Sequence, residues 1–431
     1  MLSTQLLGGT LTELAKWQAD SVNLWRDQLP NAMLHEAHTG PLSLLNYTPR
    51  AKYYGSLTTP IFYSIALAQL WRWAGNSAIT EPLLDSALRG LRWLEEYARS
   101  PRHGFYQYQT SSEQGVKNQA WKDSGDAIVY DDGSQVPAPI AVCEAQGYLY
   151  AARMQLAQVL WEAGRREDAR VLQNTAIEFK KRFNEAFWME DANIFAMGLD
   201  GQGRQIRSIA SNGLHTLGTG IAGLEQAART VDRLFCEDMF SGWGIRTLSA
   251  EHPAYDPYSY HRGSVWPVEQ GFFAFGLSRY GKHAQLLRLC QVQFELAGLF
   301  EHFRLPEVFS GHRRDALHPF PAFYPETNSP QAWSASAVFA MLASILGLFP
   351  YAAGEVLFVD PHLPEWLPEI AVRNLHVGES VVALRFFRQP TGQSGYEVLD
   401  MTGNLRVSRR PDAWALLDLL GDELRKQLAT S

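Results

Sequence analysis

Apolar residues recur at spacings of three and four along most of the first 350 positions, the period of a helix that turns one face inward. From Ile140 to Trp161 the set Ile140, Cys143, Gly147, Tyr150, Met154, Ala157 and Trp161 follows that period. Similar patterns predict helices near 3–20, 59–74, 80–98, 167–186, 223–236, 266–280, 283–301 and 333–347. Pro82, Pro139 and Pro267 stand where first-turn prolines are tolerated and mark expected helix starts. Between the helices lie four long stretches, 47–58, 102–137, 240–264 and 305–331. Loops of such length in a compact domain are usually functional or disordered. Their aromatic and polar content argues against disorder. Helix pairs stacked around an axis, with these loops gathered at one end, make a toroid with a site at its mouth.

After Tyr351 the pattern changes. Val356 to Val359, 371–375 and 381–387 are short β-branched and aromatic runs separated by Pro361, Pro364, Gly378 and Gly395. They predict a small C-terminal sheet, with strands only after Tyr351, and a last amphipathic helix over 412–427. The division is thus 1–350 for the helical part and 351–431 for the strands and terminal helix packed on it.

Composition narrows the chemistry. The 431-residue chain is 46% hydrophobic, enough for a sizeable core, and 12% aromatic, with 13 Trp and 17 Tyr. Flat rings with a polar handle suit a groove that stacks on sugars, although a large helical core also absorbs aromatics. The net charge of -7, without a Lys/Arg stripe, excludes nucleic acid as a partner. Cys143, Cys236 and Cys290 lie far apart and form no CxxC, which argues against a disulfide framework or a zinc site. The first ten residues lack a secretory pattern, and the longest apolar stretch, 335–348, is too short to span a membrane. A cytoplasmic protein without a membrane partner is the expectation. P-loop, dinucleotide-binding, HExxH and GxSxG patterns are missing, and Asp131-Asp132-Gly133 lacks the further aspartates of a metal loop. His215 and His261 have no Cys or second His at ligand spacing. Neither a metal nor an organic cofactor is expected.

Two clusters could carry acid–base work. The stretch 117–126 holds Trp121, Lys122, Asp123 and Asp126, and a loop Asp beside a Trp can have its pKa raised by an apolar wall. Either Asp could instead cap a helix or shape a turn. The stretch 304–311 holds Glu307 between Pro306 and two apolar residues, on a loop rich in arginine, where an ion pair with Arg304 or Arg313 is an equal reading. Two separated carboxylates at one end of a barrel are what an inverting glycosidase uses, about 6.5–9.5 Å apart. Other loops offer Trp243 and Arg246, then Tyr260, His261, Arg262 and Trp266, then Gln331 and Trp333. Each alone is more often packing than binding. Glu144 and Gln146 flank the apolar stripe of their helix, which favours solvent exposure or an internal hydrogen bond.

In order along the chain, His35-Glu36, Tyr53-Tyr54-Gly55, 118–124, 144–148, Ser211-Asn212, 241–247, 260–267, 305–307 and 330–333 resemble the bacterial amylo-α-1,6-glucosidase, or glycogen-debranching, family over about 30–350. That resemblance implies an (α/α)6 barrel, an all-α class with a small C-terminal β-sheet. It also implies an exo-acting inverting α-glucosidase with Asp123 as general acid and Glu307 as general base, Asp126 being the reserve acid. Trp121, Lys122, Asp126, Tyr54, Trp243, Arg246, His261, Arg262, Trp266, Gln331 and Trp333 would contact a carbohydrate substrate. The sequence departs from the family at Ala120, at Val268-Glu269-Gln270, and in lacking a Phe-Gly-Arg-Asp-Ser stretch. These departures leave two other readings: a carbohydrate-binding homologue without turnover, and a sugar epimerase using His215 and His261.

Overall fold

Helices in this protein alternate between two environments, and the alternation builds the architecture. The computed structural model describes residues 3–75, 77–324 and 327–429. Twelve helices are formed among them: α1 (Thr4–Lys16), α2 (Pro41–Leu44), α3 (Thr59–Ala74), α4 (Ser77–Trp93), α5 (Cys143–Glu162), α6 (Arg166–Phe187), α7 (Asn212–Thr219), α8 (Leu224–Leu234), α9 (Pro267–Arg279), α10 (His283–Ala297), α11 (Ala332–Leu346) and α12 (Gly421–Ala429). Helices α3, α5, α7, α9 and α11 pack each on the next, while α4, α6, α8 and α10 each back their own predecessor. This succession is that of an (α/α) toroid. Leu7, Phe62, Gln155, Thr219, Phe272 and Ala343, from α1 and the five inner helices, line one cavity of 410 Å³ on the common axis.

Burial follows this plan. Every residue of α5 from Cys143 to Leu160 is buried, as befits a helix with neighbours on all sides. Outer helix α8 buries only Ala227, Thr230, Val231 and Leu234, a single stripe. Helix α3 has Pro60 in its first turn and stops at Gly75, whose φ of 63° allows the cap N–H to reach Trp71 O. Pro267 opens α9 as expected. Pro82, however, lies inside α4, and Pro139 precedes a strand rather than a helix. Glu144 and Gln146 take the internal-hydrogen-bond reading: Gln146 bonds both N–H and C=O of Tyr106, and Glu144 accepts from Asn212.

The strands correct the expectation in two ways. Short strands occur inside the helical part: β1 (Ala141–Val142), β2 (Trp188–Met189), β3 (Ile194–Phe195), β4 (Gly198–Leu199) and β5 (Gln205–Ile206). Strands β2–β3 and β4–β5 are tight hairpins in the connection after α6, and β1, just before α5, pairs with β4. After α11 there are two sheets instead of one. In the first, β6 (Phe349–Tyr351) lies antiparallel and β11 (Arg406–Arg409) parallel to β7 (Val356–Val359); in the second, β8 (Glu369–Val377), β9 (Ser380–Arg388) and β10 (Ser394–Thr402) form an antiparallel meander. The end of the chain is a 3-10 turn, Ala413–Asp418, followed by α12, in place of one continuous helix. Among the described residues no helix is long and apolar enough to cross a membrane.

Candidate active site

The loops that precede α5, α9 and α11 meet at the end where these helices begin. Isolated bridges Arg246–Val265, Val265–Phe309 and Phe309–Phe323 stitch 240–264 to 305–331. Beneath them Trp243, Val265, Leu296, Ala297, Leu305 and Phe309 form a second apolar core, separate from the main one. Gly311 is needed there, because a Cβ would lie 1.8 Å from the Gly263 carbonyl oxygen.

On this frame stands Glu307, buried to 5% exposure. Its backbone N–H donates to Asn328 O at 2.8 Å. Its Oε1 accepts from Tyr260 Oη at 2.9 Å and from Gln331 Nε2 at 3.5 Å. Its Oε2 accepts from Asn328 through Nδ2 at 2.9 Å and through the backbone N–H at 3.3 Å. Burial, then Glu307, holds the Tyr260 phenol far above its ordinary pKa, so it stays a neutral donor.

Asp123 shares the recess. Solvent reaches it, yet the surrounding protein is dense enough that desolvation raises its carboxyl above the usual range; Glu36 and Glu307 add to the rise and Arg50 opposes it. Asp123 and Glu307 therefore lie near enough for their charges to be felt by each other. The turn is set by Ser124, whose carbonyl accepts from Asn118 Nδ2 at 2.7 Å and whose Oγ meets His261 Nδ1 at 2.9 Å. Asp126 has the opposite surroundings, in an ion pair with Arg262 at 2.8 Å. At the rim, Glu36 pairs with Arg50 at 3.0 Å and with His38 at 2.9 Å.

Aromatic rings wall the recess. Trp333, 39% exposed, stands edge-on to Trp266 at 5.6 Å, and Trp266 meets Tyr260 and Trp121 at 4.6 and 5.4 Å. Behind this wall lies a buried polar group. Lys122, with no exposed surface, donates to Asn212 Oδ1 and Thr247 O, both at 2.7 Å. Glu144 and Glu269 occupy the first turns of α5 and α9, where the helix dipole favours an anion. Burial pushes the Lys122 ammonium down and the Glu144 carboxyl up, and their attraction for each other opposes both.

Several residues expected on substrate are therefore held elsewhere. Tyr54 is buried and donates to Trp17 O. Lys122 belongs to the buried group just described. Trp243 fills the second core. Arg246 clamps the carbonyls of Gly311, Glu237 and Asp238. Arg262 neutralises Asp126. Trp266 and His261 are 1% exposed and stack on each other as a second layer, and burial drives the His261 imidazole well below its ordinary pKa. His215 is buried between Tyr148 Oη at 2.8 Å and Glu269 Oε1 at 3.0 Å. The pair an epimerase would use thus has its polar contacts inside the protein. The recess itself gathers Asp123, Glu307, Gln331, Trp333 and the flank of Trp121. The substrate contacts implied by the resemblance do not include Tyr260, Asn328, Glu36 or Arg50. Tyr260 and Glu36 lie within stretches that already stood out, whereas nothing in sequence marks Asn328.

The model of the mannosylglycerate hydrolase MGH1-like glycoside hydrolase domain matches residues 11–308. The chain belongs to this family. It is a glycoside hydrolase. Among solved structures it is similar to the GH63 mannosylglycerate hydrolase from Thermus thermophilus in complex with glucose, with 18% identity and a TM-score of 0.51, over 79% of this chain and 91% of that one. It is also similar to the GH78 family rhamnosidase of Bacillus sp. GL1 (15% identity, TM-score 0.63, 95% of this chain) and to a sialidase (12%, 0.62, 80%). The chain spans only 36% and 31% of the length of those two. These likenesses show the fold. A comparison with curated proteins gives no match. The family match bears out a glycoside hydrolase and does not confirm membership of the amylo-α-1,6-glucosidase family.

Proposed function

We propose that the protein is an exo-acting inverting α-glycosidase of the (α/α)6 kind, with Asp123 as general acid and Glu307 as general base, acting on a small glucoside or oligosaccharide. The reading is supported by the contrast between two carboxylates whose charges are felt by each other. Asp123 is pushed towards its protonated form by desolvation, as a proton donor to the glycosidic oxygen needs. Glu307 accepts from Tyr260, Asn328 and Gln331, which fix the carboxyl in position to activate water. The exo-acting and α-glucoside parts rest on the sequence resemblance. No metal enters, since proton transfer between two carboxylates, water and the leaving group completes the hydrolysis.

A second reading of the substrate has its own support. The general acid stands on the leaving-group side, and Arg50 acts on Asp123 from the rim. The family description names mannosylglycerate, whose aglycone carries a carboxylate; Arg50, already paired with Glu36 at the rim, would have to exchange that partner to meet it. The test is incubation with maltose, isomaltose, trehalose, glucosylglycerol and the α-glucosyl and α-mannosyl glycerates, with proton NMR of the first sugar released. The β-anomer appearing first is expected. An α-anomer appearing first refutes the inverting mechanism, and release from none of these refutes the proposed substrates.

A further inference from the structure

His283 opens α10, and Asp360 and His362 follow β7 on a different part of the fold. One ligating atom from each lies within 4.8 Å of the others. The two imidazoles stack with centroids 3.5 Å apart and planes 15° from parallel, an arrangement that two charged rings would resist. Asp360 is only 8% exposed. Its Oδ2 accepts from His362 Nε2 at 2.8 Å and its Oδ1 from Arg409 Nε at 3.2 Å. His283 Nδ1 is buried without any hydrogen-bond partner.

We propose that His283, Asp360 and His362 bind a divalent ion of the zinc class. Two imidazoles and one carboxylate suit Zn²⁺, whereas Mg²⁺ and Ca²⁺ prefer sets made of oxygen. Arg409 orients the carboxylate through its outer oxygen, as groups behind metal ligands commonly do. Three protein ligands leave a fourth position, and the cluster borders a cavity of 490 Å³ lined also by Arg388, Gly392 and Ser394. The ion takes the place of the hydrogen between His362 Nε2 and Asp360 Oδ2. Because α9 begins at the carboxylate recess and α10 runs back from its far end, this site lies at the opposite end of the toroid. Its role is to tie α10 to the segment after β7, apart from the hydrolytic chemistry.

The test is calorimetric titration of EDTA-stripped full-length protein with Zn²⁺ and with Mg²⁺, alongside thermal unfolding. One Zn²⁺ per chain, a higher melting temperature and no response to Mg²⁺ are expected. His362→Ala and His283→Gln, checked for folding by circular dichroism, should lose the saturable binding while their unstripped melting temperature falls towards that of the metal-free protein. Equal Zn²⁺ binding by these variants, or none by the wild type, overturns the proposal. If the variants do not fold, Co²⁺ added to the stripped wild type decides: the strong visible band of four-coordinate cobalt supports the site, and its absence refutes it.

Discussion

Asp123 and Asp126 lie three positions apart in one loop and meet opposite environments. Desolvation raises the carboxyl pKa of the first, and the second pairs with Arg262. Residue chemistry alone did not separate the two, and only the family resemblance put Asp123 first, because which carboxylate meets an arginine depends on a loop more than 130 residues further on. The same holds for Lys122, Arg246 and Trp243, whose residue types suit a sugar site but whose partners lie in other loops. The environment of Asp123 also makes a signed prediction. Glu36 raises its pKa and Arg50 lowers it. A general acid works only while protonated, so activity falls as pH rises through that pKa. Glu36→Gln removes a like charge and should move the alkaline limb of kcat/KM to lower pH; Arg50→Met should move it to higher pH. Profiles across pH 4–9, roughly the range in which such acids are tuned, check this. Shifts of both variants in the same direction would show that Asp123 does not set that limb.

At the scale of elements, periodicity found the inner helices α3, α5, α9 and α11 as well as the outer α6, α8 and α10. Bounds were less legible where a turn follows without a break, as at α10, which stops at Ala297 short of the expected 301. Helix α7 was not predicted: its eight residues carry only Leu214 and Leu217 as large apolar positions, too few to fix a period, and nearly all of it is buried between α5 and α9. The two-residue strands β1 to β5 are too short to leave an alternating pattern. The buried polar group links these inner elements. Glu144 and Glu269 at the starts of α5 and α9 face Lys122, whose ammonium is the cation that burial brings among them. Removing one partner of a buried charged set costs on the order of 3–5 kcal/mol. Lys122→Met should therefore lower stability by that much in urea unfolding and weaken the seating of the neighbouring Asp123. An unchanged unfolding midpoint would show that the set contributes nothing.

For the whole molecule, the toroid was legible as paired helices with rich loops, and the gathering of those loops at one end was foreseen from the sequence. Two C-terminal sheets in place of one were not, because β11 returns to lie parallel to β7 and no local pattern announces a long-range parallel pairing. The family membership and the recess agree on a glycoside hydrolase, and the division of labour between Asp123 and Glu307 is the claim on which the account rests. Its most direct test compares Asp123→Asn and Asp126→Asn on a disaccharide substrate and on the corresponding α-glycosyl fluoride. Loss of a general acid costs on the order of 10²–10⁴ in rate, and least where the leaving group needs no proton. The account predicts that Asp123→Asn loses disaccharide hydrolysis by that factor yet largely retains fluoride hydrolysis, while Asp126→Asn affects both substrates alike. If the selective retention appears in Asp126→Asn instead, or Asp123→Asn still cleaves the disaccharide at the wild-type rate, the assignment of the acid is wrong.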